Sequence, residues 1–256
     1  MTKRSGLGAR FFLGGHNLSG DVNSFSLRGG PAPWDVTDIT QLANAREGLL
    51  RDGGIDWVSY FNPESIAGGD AEDRAHVVLS SLPTTDRTET LCIGTTLGDP
   101  SACVVAKQLN YDPTRGQDGS LTVAVQSQAS GFGLQWGRQA TAGIRTDTAA
   151  TNGGCIDEGA ATDFGLAAFL HVFSITGTDA TIKIQESSDN GAGDAFADVT
   201  GGTFTEITAA PTAERIVTAL DLTVERYLRV VTTTSAGFSD LQFAVTICRN
   251  YTETKF

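Results

Sequence analysis

The stretch "NYDPTRGQDGSLTVAVQSQ", residues 110–128, decides the fold class because it joins a turn to a regular strand. From Leu121 to Val125, apolar and polar side chains alternate, which is the pattern of a strand with one buried face. Before it, Pro113 presets a turn φ, and Gly116 and Gly119 are expected to accept positive φ. We interpret the whole stretch as a hairpin or loop that leads into a strand.

The charged half of this stretch does not fit a calcium loop. Such a loop needs oxygen ligands at alternate positions after its first Asp, but Asp112 is followed by Thr114 and Gly116 at those positions. Asp112 and Asp118 are instead expected to bond to nearby backbone amides. Arg115, among aspartates at the tip, is suited to pairing with a neighbouring chain.

Period-two alternation recurs along the chain and predicts an all-β protein. It is clear around Ile55 and Trp57, around Ile182 and Ile184, and from Leu241 to Ile247. The run Leu166–Phe173 is apolar on both faces, as expected for a strand between two layers or at an interface. We predict that His171, within this run, is a hydrogen-bonded core or interface histidine, since no ligand-type residue is at metal-site spacing.

Two segments have helical spacing. Ala75, Val78, Leu79 and Leu82 recur on one face between residues 71 and 82, and Pro83 ends the run, which predicts a short amphipathic helix. A second candidate helix extends from Ile39 to Leu50, with Leu42, Ala43, Leu49 and Leu50 on one side and Gly53-Gly54 after it.

The polar stretch 143–163, rich in Gly and Thr, marks the expected boundary between two domains. We predict a β domain over 1–142 with a helix near 71–82, a linker or long loop over 143–163, and a C-terminal β-sandwich, with jelly-roll character, over 164–256. The fold class is therefore all-β with one or two short helices.

Composition limits the partners. The chain has 256 residues, with 30 acidic and 18 basic side chains and a net charge of −12. Nonspecific binding to nucleic acid or to anionic membranes is therefore not expected. The longest apolar run, 164–175, is too short to cross a bilayer, and the N-terminal segment lacks a signal-peptide core, which indicates cytoplasmic synthesis. Cys92, Cys103, Cys155 and Cys248 have no CxxC spacing and are expected to be free thiols, mostly buried.

Motifs that carry chemistry are missing from the sequence. GxSxG, the P-loop pattern and HExxH are all absent, and the three histidines lie in different elements. Carboxylate pairs such as Asp35 with Asp38, or Asp157 with Glu158, neither support nor exclude glycosidase-type chemistry. The acidic loop 185–202 offers possible cation ligands in Asp189, Asn190, Asp194 and Asp198, but its irregular spacing favours a flexible strand connection. We expect no catalytic residue, cofactor or metal.

Several phrases resemble the tail tube (major tail) proteins of long-tailed actinobacterial phages. They are "LSGDVNSFSLRGGPAPWDVTDIT", "AREGLLRDGGIDWVSYFNPE", "HVVLSSLP" and "GTTLGDPSACVVAKQLNYDPTRGQDGSLTVAVQSQASG", and they cover roughly residues 10–140. The later phrases "ATIKIQESSDN", "FADVTGGTFT" and "ERYLRVVTTTSAGFSDLQFAVTI" resemble the β-sandwich module appended to many virion proteins.

The resemblance implies two packed sheets with a flanking helix, in subunits that form rings, commonly hexameric, stacked into a tube. It implies a virion protein, made and assembled in the bacterial cytoplasm, whose partners are its own copies, the tape measure protein and the tail terminator. DNA would pass through the lumen during ejection without specific binding, which suits an acidic protein, although the charge is equally explained by solubility. Segments around 29–40 and 107–119 are candidates for contacts between rings.

Two alternatives remain open from the sequence. The first is another virion part, such as a capsid decoration or minor capsid protein, and the second is a glycan-binding β-sandwich module. Tyr227 and Phe238 suit a sugar platform no better than a core. A hydrolase is the remaining class, and it requires a cleft with carboxylates or histidines of perturbed pKa.

Overall fold

The computed structural model describes residues 6–63 and 73–253, and these residues form antiparallel strands and one short helix. The strands of the first half are β1 (Arg10–Leu13), β2 (His16–Asn17), β3 (Val22–Asp35), β4 (Arg46–Tyr60), β5 (Arg87–Cys92), β6 (Pro100–Gln108), β7 (Asp112–Arg115), β8 (Leu121–Val125), β9 (Ser127–Ala129) and β10 (Gln135–Gln139). Those of the second half are β11 (Arg145–Asp147), β12 (Asn152–Asp157), β13 (Leu166–Gly177), β14 (Thr181–Ser187), β15 (Ala197–Thr203), β16 (Thr212–Val217), β17 (Tyr227–Thr233) and β18 (Phe238–Arg249). The predicted all-β class is confirmed.

Three sheets organise these strands. The largest has ten strands in the order β16-β13-β18-β10-β6-β5-β1-β2, with β11 also beside β18 and β9 beside β6. Two four-stranded sheets, β3-β4-β8-β7 and β12-β17-β14-β15, complete the set. The large sheet therefore contains strands from both halves of the chain, joined where β10 pairs with β6 on one side and β18 on the other.

Each four-stranded sheet shares a hydrophobic core with part of the large sheet. In the first core, Val123 and Val125 of β8 and Trp57 of β4 pack with Phe11 of β1, while Thr122 and Ala124 lie on the other face of β8. Their burial follows the predicted alternation, and each large apolar side chain removed from water contributes roughly 1.5–3 kcal/mol. The second core lies between β13 and β18 and the sheet that contains β14 and β17.

Strand β13 is buried on both faces, as predicted, because the large sheet curves. Its even-numbered residues from Leu166 to Val172 face the second core, whereas Phe169 and Phe173 lie on the opposite, concave side of the sheet. The ends of the sheet approach each other there, with β2 against β13 and β5 against β16. Phe12 of β1 meets Phe173 with ring centroids 4.9 Å apart.

His171 lies inside this curve and confirms the prediction of a hydrogen-bonded core histidine. The N–H of Gly15 donates to its Nδ1 at 3.3 Å, so the ring proton is on Nε2, which lies 2.9 Å from the hydroxyl of Thr90. Burial is the main cause that lowers the pKa of His171 to about 3, and the ring is therefore neutral at pH 7. It connects the β1–β2 turn to β5 and β13.

The helix α1 (Ala75–Leu79) confirms the first helical prediction in part. Ala75, Val78 and Leu79 are buried against the first core as their spacing predicts. The predicted start at residue 71 lies outside the described residues. Nowhere in the described part of the chain is a helix long and apolar enough to cross a membrane.

The second predicted helix, Ile39–Leu50, is wrong. This segment is the end of a long hairpin in which Asp35 pairs with Arg46 and Trp34 with Glu47, so its backbone bonds across to β3. Gly53 and Gly54, which were expected to follow a helix, lie within β4. The side chains of Leu42, Leu49 and Leu50, whose spacing predicted the helix, are exposed on the hairpin and do not face a core.

The prediction of a linker or long loop over 143–163 is also wrong in its local structure, because the stretch contains β11 and β12. These strands pair with β18 and β17 through backbone hydrogen bonds, which need no large apolar side chains. Arg145 adds a bidentate pair with Asp147 and donates to the carbonyl of Val230. The division into two domains at this stretch stays a prediction.

All four cysteines are free thiols, and three are buried, as predicted. Cys92 and Cys103 lie in adjacent strands, but they are not paired across them, because Cys92 faces Ser101 and Cys103 faces Thr90. Burial raises the pKa of the Cys92 thiol, which keeps it protonated and unreactive at neutral pH.

Candidate assembly surface

The β3–β4 hairpin presents a large exposed apolar surface. We call residues 30–52 the arm, because β4 pairs with β8 only from Trp57 to Tyr60, and the outer half of the hairpin extends beyond the sheet. At about 3.3 Å per residue, the strand from Asp52 back to Arg46 extends roughly 20 Å from this base. Large apolar side chains with at least half of their surface exposed line the arm, namely Trp34, Ile39, Leu42, Leu49 and Leu50.

Hydrogen bonds within the arm tip, residues 35–45, constrain its conformation. Val36 N–H donates to the carbonyl of Ala45 at 3.0 Å, and the Thr37 hydroxyl accepts from Ala45 N–H at 2.9 Å. The carboxylates of Asp35 and Asp38 accept from the N–H groups of Thr37 and Thr40. Hydrogen bonds from the side chains of the same threonines, and then these backbone bonds, lower the pKa of both aspartates, so the tip is negatively charged at neutral pH.

Glycines let the base of the arm pass close to the segment 127–134. A Cβ on Gly54 would lie 2.2 Å from the carbonyl oxygen of Ser127, and one on Gly53 would lie 2.8 Å from Leu134. No other residue type fits this approach without displacing backbone. Both glycines were interpreted from sequence as a helix end, but in the structure they allow this close approach within β4.

An arginine fixes the same base from the other strand. Arg28 donates from Nε and Nη2 to Asp56 at 2.7 and 3.0 Å, and Nη2 also donates to the carbonyl of Ser127 at 2.8 Å. The hydrogen bond to Asp56 is the main cause that raises the pKa of Arg28. The fork of the guanidinium thus orients β3, β4 and the start of β9 relative to one another.

A buried carboxyl group lies beneath this junction. Glu89 of β5 is 1% exposed, and its Oε2 lies 2.8 Å from the hydroxyl of Ser127. That hydroxyl also accepts from the N–H of Ile55 at 3.1 Å and donates to its carbonyl at 2.8 Å. Since the hydroxyl has one proton to donate, a protonated Glu89 that donates to Ser127 satisfies every group.

The pKa of Glu89 agrees with this assignment. Burial, the largest cause, raises it to about 8, outweighing the hydrogen bond with Ser127, and the nearby charge of Asp56 raises it further. Glu89 is therefore mostly neutral at pH 7 and joins the large sheet to the arm base. Sequence reasoning missed it, because the alternation in "RTETLC" does not show that a distant serine covers the carboxyl group.

The solvent-facing side of the β3-β4-β8-β7 sheet has little free positive charge. The buried face contains Ile55, Trp57, Val123 and Val125, so the residues between them face outward. The charged residues that the strand register places on the outward side below the arm are Arg28, Asp56 and Asp112. Arg28 is already bonded to Asp56, which leaves this side net negative.

The predicted hairpin at 110–128 is confirmed, with a correction. Asp112–Arg115 is itself the edge strand β7, paired with β8, and the turn is limited to residues 116–120. Gly119 has φ of +90° as expected, whereas Gly116 does not adopt positive φ. Arg115 is exposed, and its Nη1 donates a long hydrogen bond of 3.5 Å to the carbonyl of Gly116.

The acidic loop between β14 and β15 uses its side chains to hold its own shape. Asp189 accepts from the N–H groups of Ala192 and Gly193 at 2.9 and 2.6 Å, and Asp194 accepts from that of Ser188. Asp198 instead bonds to side chains of β14, and Asn190 Oδ1 lies 2.9 Å from the thiol of Cys155. Among the residues that the structure describes, no group of three or more His, Cys, Asp or Glu is placed to hold a metal.

The carboxylate pairs noted in the sequence have structural partners. Asp35 and Asp38 lie on the arm tip, and Asp157 forms a bidentate pair with Arg226, which is the main cause that lowers its pKa. Glu158 accepts from the hydroxyl of Tyr251 at 2.7 Å. Of the two aromatic residues considered for sugar binding, Phe238 is in the second core and Tyr227 lies beneath Arg226.

No protein-family model and no curated protein matches the chain. Among solved structures, it is similar to the Dit protein of phage SPP1, described as a paradigm of the hub adsorption apparatus in phages that infect Gram-positive bacteria, with 12% identity, a TM-score of 0.34 and coverage of 93% of this chain and 98% of that one. It is also similar to a chain of the phage p2 baseplate in its activated conformation, with 8% identity, a TM-score of 0.30 and coverage of 94% and 98%. At such TM-scores neither similarity defines the fold or the function of this chain.

Proposed function

We propose that the protein is a structural subunit of a phage tail that self-assembles into stacked rings and forms the tail tube. The observation that carries the proposal is the arm, whose large apolar side chains are exposed in the isolated chain. Exposed apolar surface of this kind marks interaction sites. The phrases that resemble tail tube proteins include residues 30–40 and 45–52 of the arm.

The edges of the β3-β4-β8-β7 sheet suit ring formation. β3 and β7 are the terminal strands of that sheet in the described part of the chain, so each offers backbone groups to a further strand. Pairing of β3 in one copy with β7 in the next would join the sheets around a ring, which we take as hexameric from the resemblance. The net negative outward side would then face the lumen and let DNA pass without retention.

In this role the protein has no active site and needs no cofactor. Its partners would be further copies of itself, the tape measure protein within the lumen and the terminator at the tube end. It would be assembled in the host cytoplasm and would function in the virion tail. Each of these statements rests on the proposed tube role.

Removing the arm tests the proposal. Residues 31–51 are replaced with Asn-Gly, which closes a two-residue hairpin between Gly30 and Asp52, a pair in the native register. We expect a folded protein that forms no stacked tubes and whose free energy of unfolding changes by about 1 kcal/mol or less, because the removed side chains are exposed. Sedimentation velocity measures the size, and assembly of the shortened protein to the wild-type extent would refute the role of the arm.

The substitution Arg115→Glu tests the β7 edge separately. An exposed ion pair contributes up to about 1 kcal/mol, so we expect the concentration needed for assembly to rise by up to about fivefold. Arg115→Lys keeps the charge and is expected to assemble like the wild type. Tubes of normal length and yield from the glutamate variant would show that Arg115 makes no contact between subunits.

A further inference from the structure

The arm tip presents two apolar side chains that nothing in the described chain covers. Ile39 and Leu42 are fully exposed, on a loop that hydrogen bonds hold in shape. Backbone hydrogen bonds at Val36 and Gln41 constrain the loop, which reduces the conformational entropy that docking would cost. The tip also has the carboxylates of Asp35 and Asp38 and no basic side chain before Arg46.

A groove with complementary properties lies at the base of the arm. It is about 470 Å³ in volume and is lined by Pro31, Leu49, Leu50 and Phe132 together with the glycines between them. This volume is within the range of about 300–1,000 Å³ typical of binding pockets. Arg51 lies at the groove, and the guanidinium of Arg215 lies 3.6 Å from the ring centroid of Phe132.

The tip cannot reach the groove of its own chain. The paired segments 31–35 and 46–51 separate the two sites and hold the tip pointing away from the base. Both sites are therefore available to another copy. The tip supplies apolar side chains with negative charge, and the groove supplies an apolar wall with positive charge.

We propose that the arm tip of one copy, residues 35–45, docks in the groove at the arm base of a second copy. This inference rests on the proposed self-assembly and specifies its contact. Ile39 and Leu42 enter the groove against Leu50 and Phe132, while Asp38 approaches Arg51. Each copy has one tip and one groove, so the contact is heterologous and propagates from copy to copy.

Two variants that each lack one half of the contact provide the test. Ile39→Ser with Leu42→Ser removes the apolar side chains of the tip, and Leu50→Asp places a charge in the groove. The changed side chains are mostly exposed, so both proteins are expected to fold, which circular dichroism checks. At protein concentrations too low for the β3–β7 contact to hold copies together by itself, we expect each variant alone to be monomeric and an equimolar mixture to form dimers that grow no further, because each dimer uses the one intact tip and the one intact groove.

Assembly of either variant alone to the wild-type extent, or a mixture that stays monomeric, would overturn the inference. A charge exchange supplies a second measurement. Asp38→Lys and Arg51→Glu are each expected to weaken assembly, and a protein with both changes is expected to recover it. If wild-type protein forms tubes and the variants do too, the docking contact is wrong and the tube role stands. If the mixture dimerises but wild-type protein forms no tubes, the contact stands and the tube role fails.

Discussion

Wild-type protein is expected to lose about 2 kcal/mol of stability between about pH 6.5 and pH 8, and the substitution Glu89→Gln is expected to abolish this loss. The pKa of Glu89 is about 8 in the folded protein and near 4.5 when unperturbed, so the folded state keeps a proton that the unfolded chain releases. Rising pH through this interval therefore favours unfolding, by about 1.4 kcal/mol per pH unit, until Glu89 ionises near pH 8. Glutamine stays neutral and can donate to Ser127.

The interval is chosen so that other buried groups do not obscure the effect. His171, whose folded pKa is lowered to about 3, destabilises the protein only as pH falls below 6.5, where the unfolded chain takes up a proton. Buried thiols such as Cys92, whose pKa burial raises, contribute chiefly above about pH 8, where unfolded cysteines ionise. Urea unfolding of wild type, Glu89→Gln and the surface control Glu206→Gln measures the difference. An equal slope in Glu89→Gln and wild type would show that Glu89 is ionised in the folded protein.

Gly15→Ala is expected to destabilise the protein by about 3 kcal/mol or more, because it combines overpacking with left-handed backbone strain. Gly15 has φ of +87°, and an added Cβ would lie 2.6 Å from backbone atoms of Thr212 and 2.8 Å from the carbonyl oxygen of Val172. These atoms belong to β16 and β13, which hydrogen bonds hold in place. The substitution would also move the N–H that bonds to His171.

Gly8→Ala is the matched control for this substitution. Gly8 has a similar φ of +80°, but an added Cβ would meet nothing within 4 Å. We expect a loss of at most about 1–2 kcal/mol there, from backbone strain alone. Thermal unfolding of both variants separates the two effects. If the two losses are equal, the β1–β2 turn does not close against the second half of the chain.

The all-β class could be predicted because alternation in side-chain polarity reports directly on strand faces. Val123 and Val125 are buried where the alternation places them, and β13 is apolar on both faces because it lies inside a curved sheet. β11 and β12 were missed because their pairing uses backbone groups, and short polar strands have no apolar pattern to reveal them.

The arm could not be predicted for a different reason. Leu42, Leu49 and Leu50 have helical spacing, and sequence alone does not distinguish apolar residues that face a core from those that face another subunit. Glu89 shows the same limit, since its burial depends on Ser127, 38 residues further along the chain. Both features depend on tertiary contacts, and Glu89 lies beneath the base of the arm.

The most direct test of the tube role is an electron cryomicroscopy reconstruction of the assembled wild-type protein. We predict hollow tubes of uniform diameter in which β3 of one subunit lies beside β7 of the next, with Arg28, Asp56 and Asp112 facing the lumen. Single rings that never stack, or a lumen lined by the β12-β17-β14-β15 sheet, would contradict the account.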